Sequence, residues 1–432
     1  MITVDNKIVY NLFCNKLLLQ YLDNKERSEF SSTCKFIFQS CTRFRLSSYR
    51  VNSLDFEKSI KDKNVMVKSF KNMCNDQIDY TNIIVTKYKP YIESLVCRYN
   101  KNCYVLEHLS ISFNYLRSLL LFNMQISKKN FINIIENLPN LYNLLLHQIG
   151  INLGKNEQKL VQLKFPNYLK KLVMEHCYQL NRDFEDCNSK ESKEVSPYTS
   201  NRYSLDMSNL SINSIKHLVW NSNYDGNENS LNELLVNNQK LEKLQLLLNE
   251  SNFKSLSLIS SNRNLTRLII STIRDISLNS IHIPQLSFIK SIEVIAIFGI
   301  EVESINPLLQ NCPNLEELKC MLTVGCGNTL CEIIKSNVNL KRLSISLLSS
   351  DTLLSTPFPD SSIEHLEFTY PGRFKGNFSA LANLKQLKSI KLIGGLKPSK
   401  IYDLKSQLHP NGACWRVIEY SNSILYWKII QK

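Results

Sequence analysis

Residues 315–346 read LEELKCMLTVGCGNTLCEIIKSNVNLKRLSIS, and one spacing of apolar residues occurs in them twice, with a different spacing between. Leu315, Leu318 and Cys320 follow the pattern apolar-x-x-apolar-x-apolar, and Leu340, Leu343 and Ile345 repeat it 25 residues later. The last two apolar positions of each copy are two apart, so they point to one face of a short strand while the residues around them point to the other. Between the copies, NTLCEIIKSNVN spaces its apolar residues three or four apart, as a helix does. A strand and a helix of this size cannot bury their apolar faces alone, whereas a stack of such units can.

The pattern runs through most of the chain. Copies start at Leu116 (LRSLLL), Leu141 (LYNLLL), Leu169 (LKKLVM), Ile215 (IKHLVW), Leu241 (LEKLQL), Leu265 (LTRLII), Ile292 (IEVIAI), Leu315, Leu340, Ile363 (IEHLEF) and Leu387 (LKSIKL). Successive starts are 25, 28, 46, 26, 24, 27, 23, 25, 23 and 24 residues apart. All but the third interval lie within the span of leucine-rich repeats. From Leu106 to Leu392 the chain resembles the leucine-rich repeat family, most visibly in LPNLYNLLLHQIGI and CPNLEELKCMLTVG. The resemblance implies an α/β fold, a leucine-rich repeat solenoid shaped as a horseshoe with its strands on the concave side. The family's Asn or Cys three positions after the last repeat leucine is not regular here, although Cys177 stands there in LKKLVMEHC.

The 46-residue interval holds NRDFEDCNSKESKEVSPYTSNRYS, charged and without apolar periodicity, so residues 181–204 read as a polar surface insertion within a solenoid of residues 106–414. Residues 415–432 alternate aromatic and polar side chains, as a cap on the exposed edge of a last repeat would. Residues 51–105 read as a linker or divergent first repeats, with NIIVTKYKPYIESLVC as the repeat-like part.

Residues 1–50 follow another rule. Ile8, Leu12, Leu19 and Leu22, with Val9, Phe13 and Leu18, form a helical apolar stripe, and Phe30, Cys34, Ile37, Phe38 and Cys41 form a second. Asp23-Asn24-Lys25-Glu26 reads as a turn with an N-cap. LLLQYLDNKERSEFSSTCKFIF, residues 17–38, resembles the F-box, the helical motif that docks on the Skp-type adaptor of cullin ubiquitin ligases. The resemblance implies an adaptor-binding surface of Leu12, Leu18, Leu19, Leu22, Cys34 and Phe38. An amphipathic end cap is the alternative reading of the same helices.

The 432 residues are 43% hydrophobic and 21% charged, with 11 glycines and 12 prolines, which excludes collagen-like and low-complexity chains. No apolar run approaches the length of a membrane span, and the first residues lack the layout of a secretory signal, so an intracellular protein, cytoplasmic or nuclear, is expected. None of the 13 cysteines forms a Cys-x-x-Cys pair, against zinc ribbons, thioredoxin motifs and iron–sulfur runs. There is no Gly-x-Ser-x-Gly elbow, His-Glu-x-x-His motif or phosphate loop. The expectation is a binding protein without catalytic activity, cofactor or metal.

The formal charge of +14 leaves polyanions open as partners, although a lysine-rich composition alone would produce it. The residue before the second apolar slot lies on the outward strand face: Ser118, Asn143, Lys171, His217, Lys243, Arg267, Val294, Glu317, Arg342, His365 and Ser389 in order. Lys171, His217, Lys243 and Arg267 are consecutive and would form a basic column on strands about 4.8 Å apart. With Gln245, Ile269, Phe298, Lys319, Arg342 and His365 they make up the expected partner-binding concave face, suited to an acidic or phosphorylated protein. Leu145, Val173, Val219 and Leu247 are further apolar anchors. Dispersed basic residues without interleaved aromatics disfavour nucleic acid.

Overall fold

The structure is a computed structural model and describes residues 48–52, 82, 85–86, 89, 91–98, 103–153, 165–180, 202–205, 212–221, 228–247, 255–272, 282–296, 302–322, 327–347, 357–369, 378–394, 414–420 and 423–429. These fall into two compact units, one within Met1–Ser214 and Tyr224–Asn227, the other within Ile215–Asn223 and Glu228–Lys432. The two helical stripes expected in residues 1–47 and most of the insertion, residues 181–201, lie outside the described residues.

The first unit contains β1 (Ser48–Asn52), β2 (Ser94–Arg98), α1 (Cys103–Ser112), β3 (Ser118–Ser127), α2 (Lys128–Glu136), β4 (Asn143–Asn152), β5 (Lys171–Glu175), β6 (Tyr178–Leu180) and β7 (Arg202–Ser204). Strands β1 to β4 pair in parallel, and β4 continues in parallel onto both β5 and β6. Strand β2 adds a repeat ahead of Leu116, because Ile92, Leu95 and Cys97 hold the apolar triplet, all buried, and Ser94 stands opposite Ser118. The end of the expected polar insertion, Arg202–Ser204, is a strand antiparallel to β6.

The second unit contains β8 (His217–Asn221), α3 (Glu228–Asn237), β9 (Lys243–Leu247), α4 (Ser255–Ser261), β10 (Arg267–Thr272), β11 (Ser291–Ala296), α5 (Val302–Gln310), β12 (Glu317–Leu322), α6 (Gly327–Ser336), β13 (Arg342–Leu347), β14 (His365–Thr369), a 3-10 turn (Phe378–Leu381), β15 (Ser389–Ile393), β16 (Cys414–Glu419) and β17 (Ser423–Ile429). Strands β8 to β15 pair in parallel in chain order. Then the direction reverses: β17 lies antiparallel on β15, and β16 antiparallel on β17. Parallel strands at this residue spacing, with buried apolar triplets on β2 to β5 and on β8 to β15, make both units leucine-rich-repeat-like.

The triplets are the core. Leu241, Leu244 and Leu246 are fully buried, as are Leu265, Leu268 and Ile270 beside them. The register corrects one copy. Ser291 stands opposite Arg267 and Glu317, so its triplet is Ile289, Ile292 and Val294 rather than a copy starting at Ile292. Val294 accordingly points into the core, 4% exposed, and Ser291 takes the outward position. The stretch LSFIKSIEVIAI permits both registers by apolar content alone, and strand pairing selects the one that buries Ile289.

Hydrogen bonding locks the spacing. One carbonyl per repeat accepts two successive N–H groups of the next: Glu242 O takes Thr266 N and Arg267 N, Thr266 O takes Lys290 N and Ser291 N, and Lys290 O takes Glu316 N and Glu317 N. Asparagines before the triplets add a second tie. Asn264, Asn314 and Asn339 each donate from Nδ2 to a carbonyl one repeat earlier, Gln239 O (2.7 Å), Ser287 O (2.8 Å) and Pro313 O (3.1 Å). At the family's Asn or Cys position, the Cys177 thiol donates to Leu146 O (3.4 Å), whereas the equivalent Met124 and Ile149 are simply buried. The residue before each of these, Asn123, Gln148 and His176, has φ of 51°, 54° and 53°, a left-handed step that bends the backbone after the strand face.

Helices cover the strands where their own pattern permits. Ser127 caps α2 by accepting from Asn130 N (3.1 Å), and Phe131, Ile134 and Ile135 face inward at helical spacing. Close packing fixes Gly150 opposite Tyr178, since a Cβ there would stand 2.7 Å from the tyrosine ring.

Two substitutions check this account by urea unfolding. Leu268→Ala should cost about 2–5 kcal/mol by leaving a cavity between two neighbouring triplets, and Gly150→Ala about 1–3 kcal/mol through the tyrosine clash. Lys385→Ala, on an exposed side chain, should stay within about 0.5 kcal/mol of the parent.

Candidate functional site

Alternation along each strand leaves one face for solvent, and the register turns that face into rows. In the second unit the first row runs His217, Lys243, Arg267, Ser291, Glu317, Arg342, His365 and Ser389. The second row runs Val219, Gln245, Ile269, Glu293, Lys319, Ser344, Glu367 and Lys391. Of the residues expected on the partner-binding face, His217, Lys243, Gln245, Arg267, Ile269, Lys319, Arg342 and His365 therefore share one face of one unit. Lys171 belongs to the first unit, where its row is Ser94, Ser118, Asn143 and Lys171. Within the second unit the basic residues of that column are His217, Lys243 and Arg267. Phe298 lies outside the described residues, as do the adaptor-binding residues Leu12, Leu18, Leu19, Leu22, Cys34 and Phe38.

The face is not uniformly basic. Glu293 takes Arg267 (3.2 Å) on one side and Lys319 (2.7 Å) on the other. Burial works to raise the pKa of Glu293, but the hydrogen bonds and charges of Lys319 and Arg267 outweigh it and hold the carboxyl below its usual range. Glu367 accepts from Ser344 (3.1 Å) and Lys391 (3.0 Å), and Ser291 donates to Glu317 (3.0 Å). Pairs whose cationic ends are half-exposed contribute little stability, but they neutralise the positive potential of the row.

The expected apolar anchors are closed. Ile269 is 4% exposed, and Val173, Val219 and Leu247 are equally buried, while Leu145 is half-buried. In its row Ile269 is flanked by the longer Gln245 and Glu293 on adjacent strands, which shields a short aliphatic group from water. Open apolar surface lies instead at Ile295 and Trp427, 39% and 48% exposed. Trp427 was legible as an aromatic of the alternating tail, but its place beside the rows depends on the antiparallel return of β17, which no spacing in the sequence announces.

In the first unit the third row forms a ladder. Arg98 stacks over the Phe122 ring at 4.6 Å, Phe122 lies 5.8 Å from the His147 ring, and His147 Nδ1 meets Glu175 Oε2 at 3.1 Å. The His176 ring stands 5.9 Å from His147, edge to face, on its left-handed backbone. Burial lowers the pKa of His176, the His147 charge lowers it further, and Glu175 opposes both. No sequence motif marks this ladder, because its members are one repeat apart.

Cys97, Cys177 and Cys312 are buried thiols, each pushed up to about 12 by burial, which leaves them without nucleophilic thiolate. Among the described residues no three His, Cys, Asp or Glu side chains stand close enough to hold a metal ion, and no helix is long and apolar enough to cross a membrane.

No protein-family model matches the chain, and no curated protein matches it. Among solved structures it is similar to a chain of the TLR13-ssRNA13 complex, at 15% identity and a TM-score of 0.33, covering 74% of this chain and 44% of that one. The present chain thus spans less than half of that protein's length.

A pH titration checks the electrostatics of the ladder. Because the folded-state pKa of His176 is lowered, the unfolded chain binds the proton first, so this contribution to stability is complete above about pH 6.5 and is lost as pH falls below it. His365, lowered mainly by its own burial, acts in the same direction. His176→Asn, which keeps the left-handed backbone, should reduce the drop in urea midpoint between about pH 7.5 and about pH 5.5. An unchanged drop would show that His176 does not contribute.

Proposed function

We propose that this chain is a protein-interaction module that captures a protein partner on the outward rows of its repeats, and that its first 50 residues dock it to a Skp-type adaptor and cullin ligase as a substrate receptor. The observation that carries the first half is the register of the second unit, which gathers charged and polar side chains from eight parallel strands onto one open face. Extended rows of this kind suit the recognition of another chain, since many side chains contribute to one surface. The second half rests on the resemblance of residues 17–38 to the F-box. In this reading the chain performs no covalent chemistry; it holds a substrate near a ligase that transfers ubiquitin.

The test uses the full chain and purified adaptor. Leu18→Asp with Leu22→Asp places two charges on the helical stripe and should abolish co-purification with the adaptor and cullin. Binding of the parent chain with loss in the variant supports the receptor reading. If the parent fails to bind, or the variant binds as the parent does, the ubiquitin role falls and an interaction scaffold with capping helices replaces it.

A further inference from the structure

The first outward row of the second unit does not stop at β15. Ser389 stands opposite Trp427 of β17, and Trp427 opposite Arg416 of β16, so five adjacent strands carry Arg342, His365, Ser389, Trp427 and Arg416 in one line. The facing of the two antiparallel strands follows from their neighbours. Ile390 pairs with Tyr426 and Leu392 with Ile424, all four buried, which turns Ser389 and Trp427 outward, where Ser389 is itself covered and Trp427 is open. His365 is held by a 2.7 Å hydrogen bond between its Nδ1 and Ser389 Oγ, with its ring 6.3 Å from the half-exposed indole of Trp427.

Charge on this line is unbalanced, unlike that further along the rows. Arg342 and Arg416 are exposed and form no ion pair among the described residues. The nearby carboxylates are engaged elsewhere. Glu317, opposite Arg342, accepts from Ser291; Glu367 accepts from Ser344 and Lys391; Glu364 pairs with Lys388 at 2.7 Å and lies 3.9 Å from His365 Nε2. Two arginines therefore bracket an exposed aromatic ring, their backbone positions four strand intervals of about 4.8 Å apart, or about 19 Å. An extended peptide covers that distance in about six residues.

We propose that this line is the docking site for an extended acidic segment of a partner protein, with two carboxylates about six residues apart on Arg342 and Arg416 and an apolar side chain between them against Trp427. The proposal rests on the protein-binding reading above and names its partner chemistry. A nucleic-acid strand fits less well: such a strand needs a continuous cationic track with repeated stacking platforms, whereas Lys319, Lys388 and Lys391 are paired with glutamates and Trp427 is the one exposed ring on this line.

Fluorescence anisotropy of the full chain tests it, with a short labelled peptide carrying two glutamates about six residues apart and a leucine about two residues from one of them as the probe, since Trp427 lies one strand from Arg416 and three from Arg342. The peptide should bind, and its Glu→Gln counterpart should bind at least about tenfold more weakly. Arg342→Glu and Arg416→Glu should each weaken binding about tenfold and Trp427→Ala about fivefold or more, with Lys385→Glu, at an exposed pair outside the line, unchanged. Circular dichroism confirms that each variant is folded, and Trp427→Phe should recover part of the loss if stacking is the contribution. Equal binding of the Glu and Gln peptides, indifference to both arginine substitutions, or a single-stranded oligonucleotide binding tightly with the same three sensitivities would each overturn the proposal. Failure of the peptide while the adaptor is still bound overturns this line alone; failure of both removes the receptor reading as well.

Discussion

A single repeat of this chain has three apolar side chains on one face of a strand and nothing of its own large enough to cover them. Everything else in the two units answers that constraint. Leu244 is buried because Leu218 and Leu268 stand beside it in register, and each of those depends on the next neighbour in turn. A buried leucine contributes about 1.5–3 kcal/mol relative to an exposed one, and the gain is available only when strands align residue for residue. The doubly accepting carbonyls and the asparagine side chains that reach back one repeat enforce that alignment. They are short-range devices, repeated, and they make stability in each unit a property of neighbouring pairs rather than of a single centre.

The same alignment creates the candidate site. Once the triplets are fixed inward, the residues between them have no choice but to form rows on the other face, and residues about 25 positions apart in sequence become neighbours about 4.8 Å apart. Glu293 meets Arg267 and Lys319 for this reason. The chemistry of the face is therefore read across repeats, and a motif search along the chain passes over it. An Arg–Phe–His–Glu ladder such as that of Arg98, Phe122, His147 and Glu175 is invisible to any such search.

Much of the architecture was nonetheless legible. The apolar triplets at Leu116, Leu141, Leu241, Leu265, Leu315, Leu340 and Leu387 are where the spacing put them, because a period enforced by burial leaves its mark in composition at every turn. The copy at Ile292 was misplaced by three residues, since Ile289, Ile292, Val294, Ile295 and Ile297 satisfy the pattern in more than one way. Only the partner strands, with Arg267 and Glu317 flanking Ser291, decide between the registers. Basic charge was read too generously, because the sequence shows Arg267 and Lys319 without showing that Glu293 lies between them. The apolar anchors were misjudged for a related reason: pattern assigns Ile269 to the open face but is silent on how long its neighbours are.

The antiparallel return of β17 along β15 has a consequence for how such a protein can change over generations. A parallel edge accepts another copy of the same unit, so tandem duplication can lengthen the array there without a new kind of contact. An edge already paired with a strand of opposite direction offers the wrong hydrogen-bond geometry to a further copy. New repeats in the second unit would have to be gained between existing ones, upstream of Ser389, where each insertion shifts the rows on the open face by one column and so redraws the surface that a partner meets.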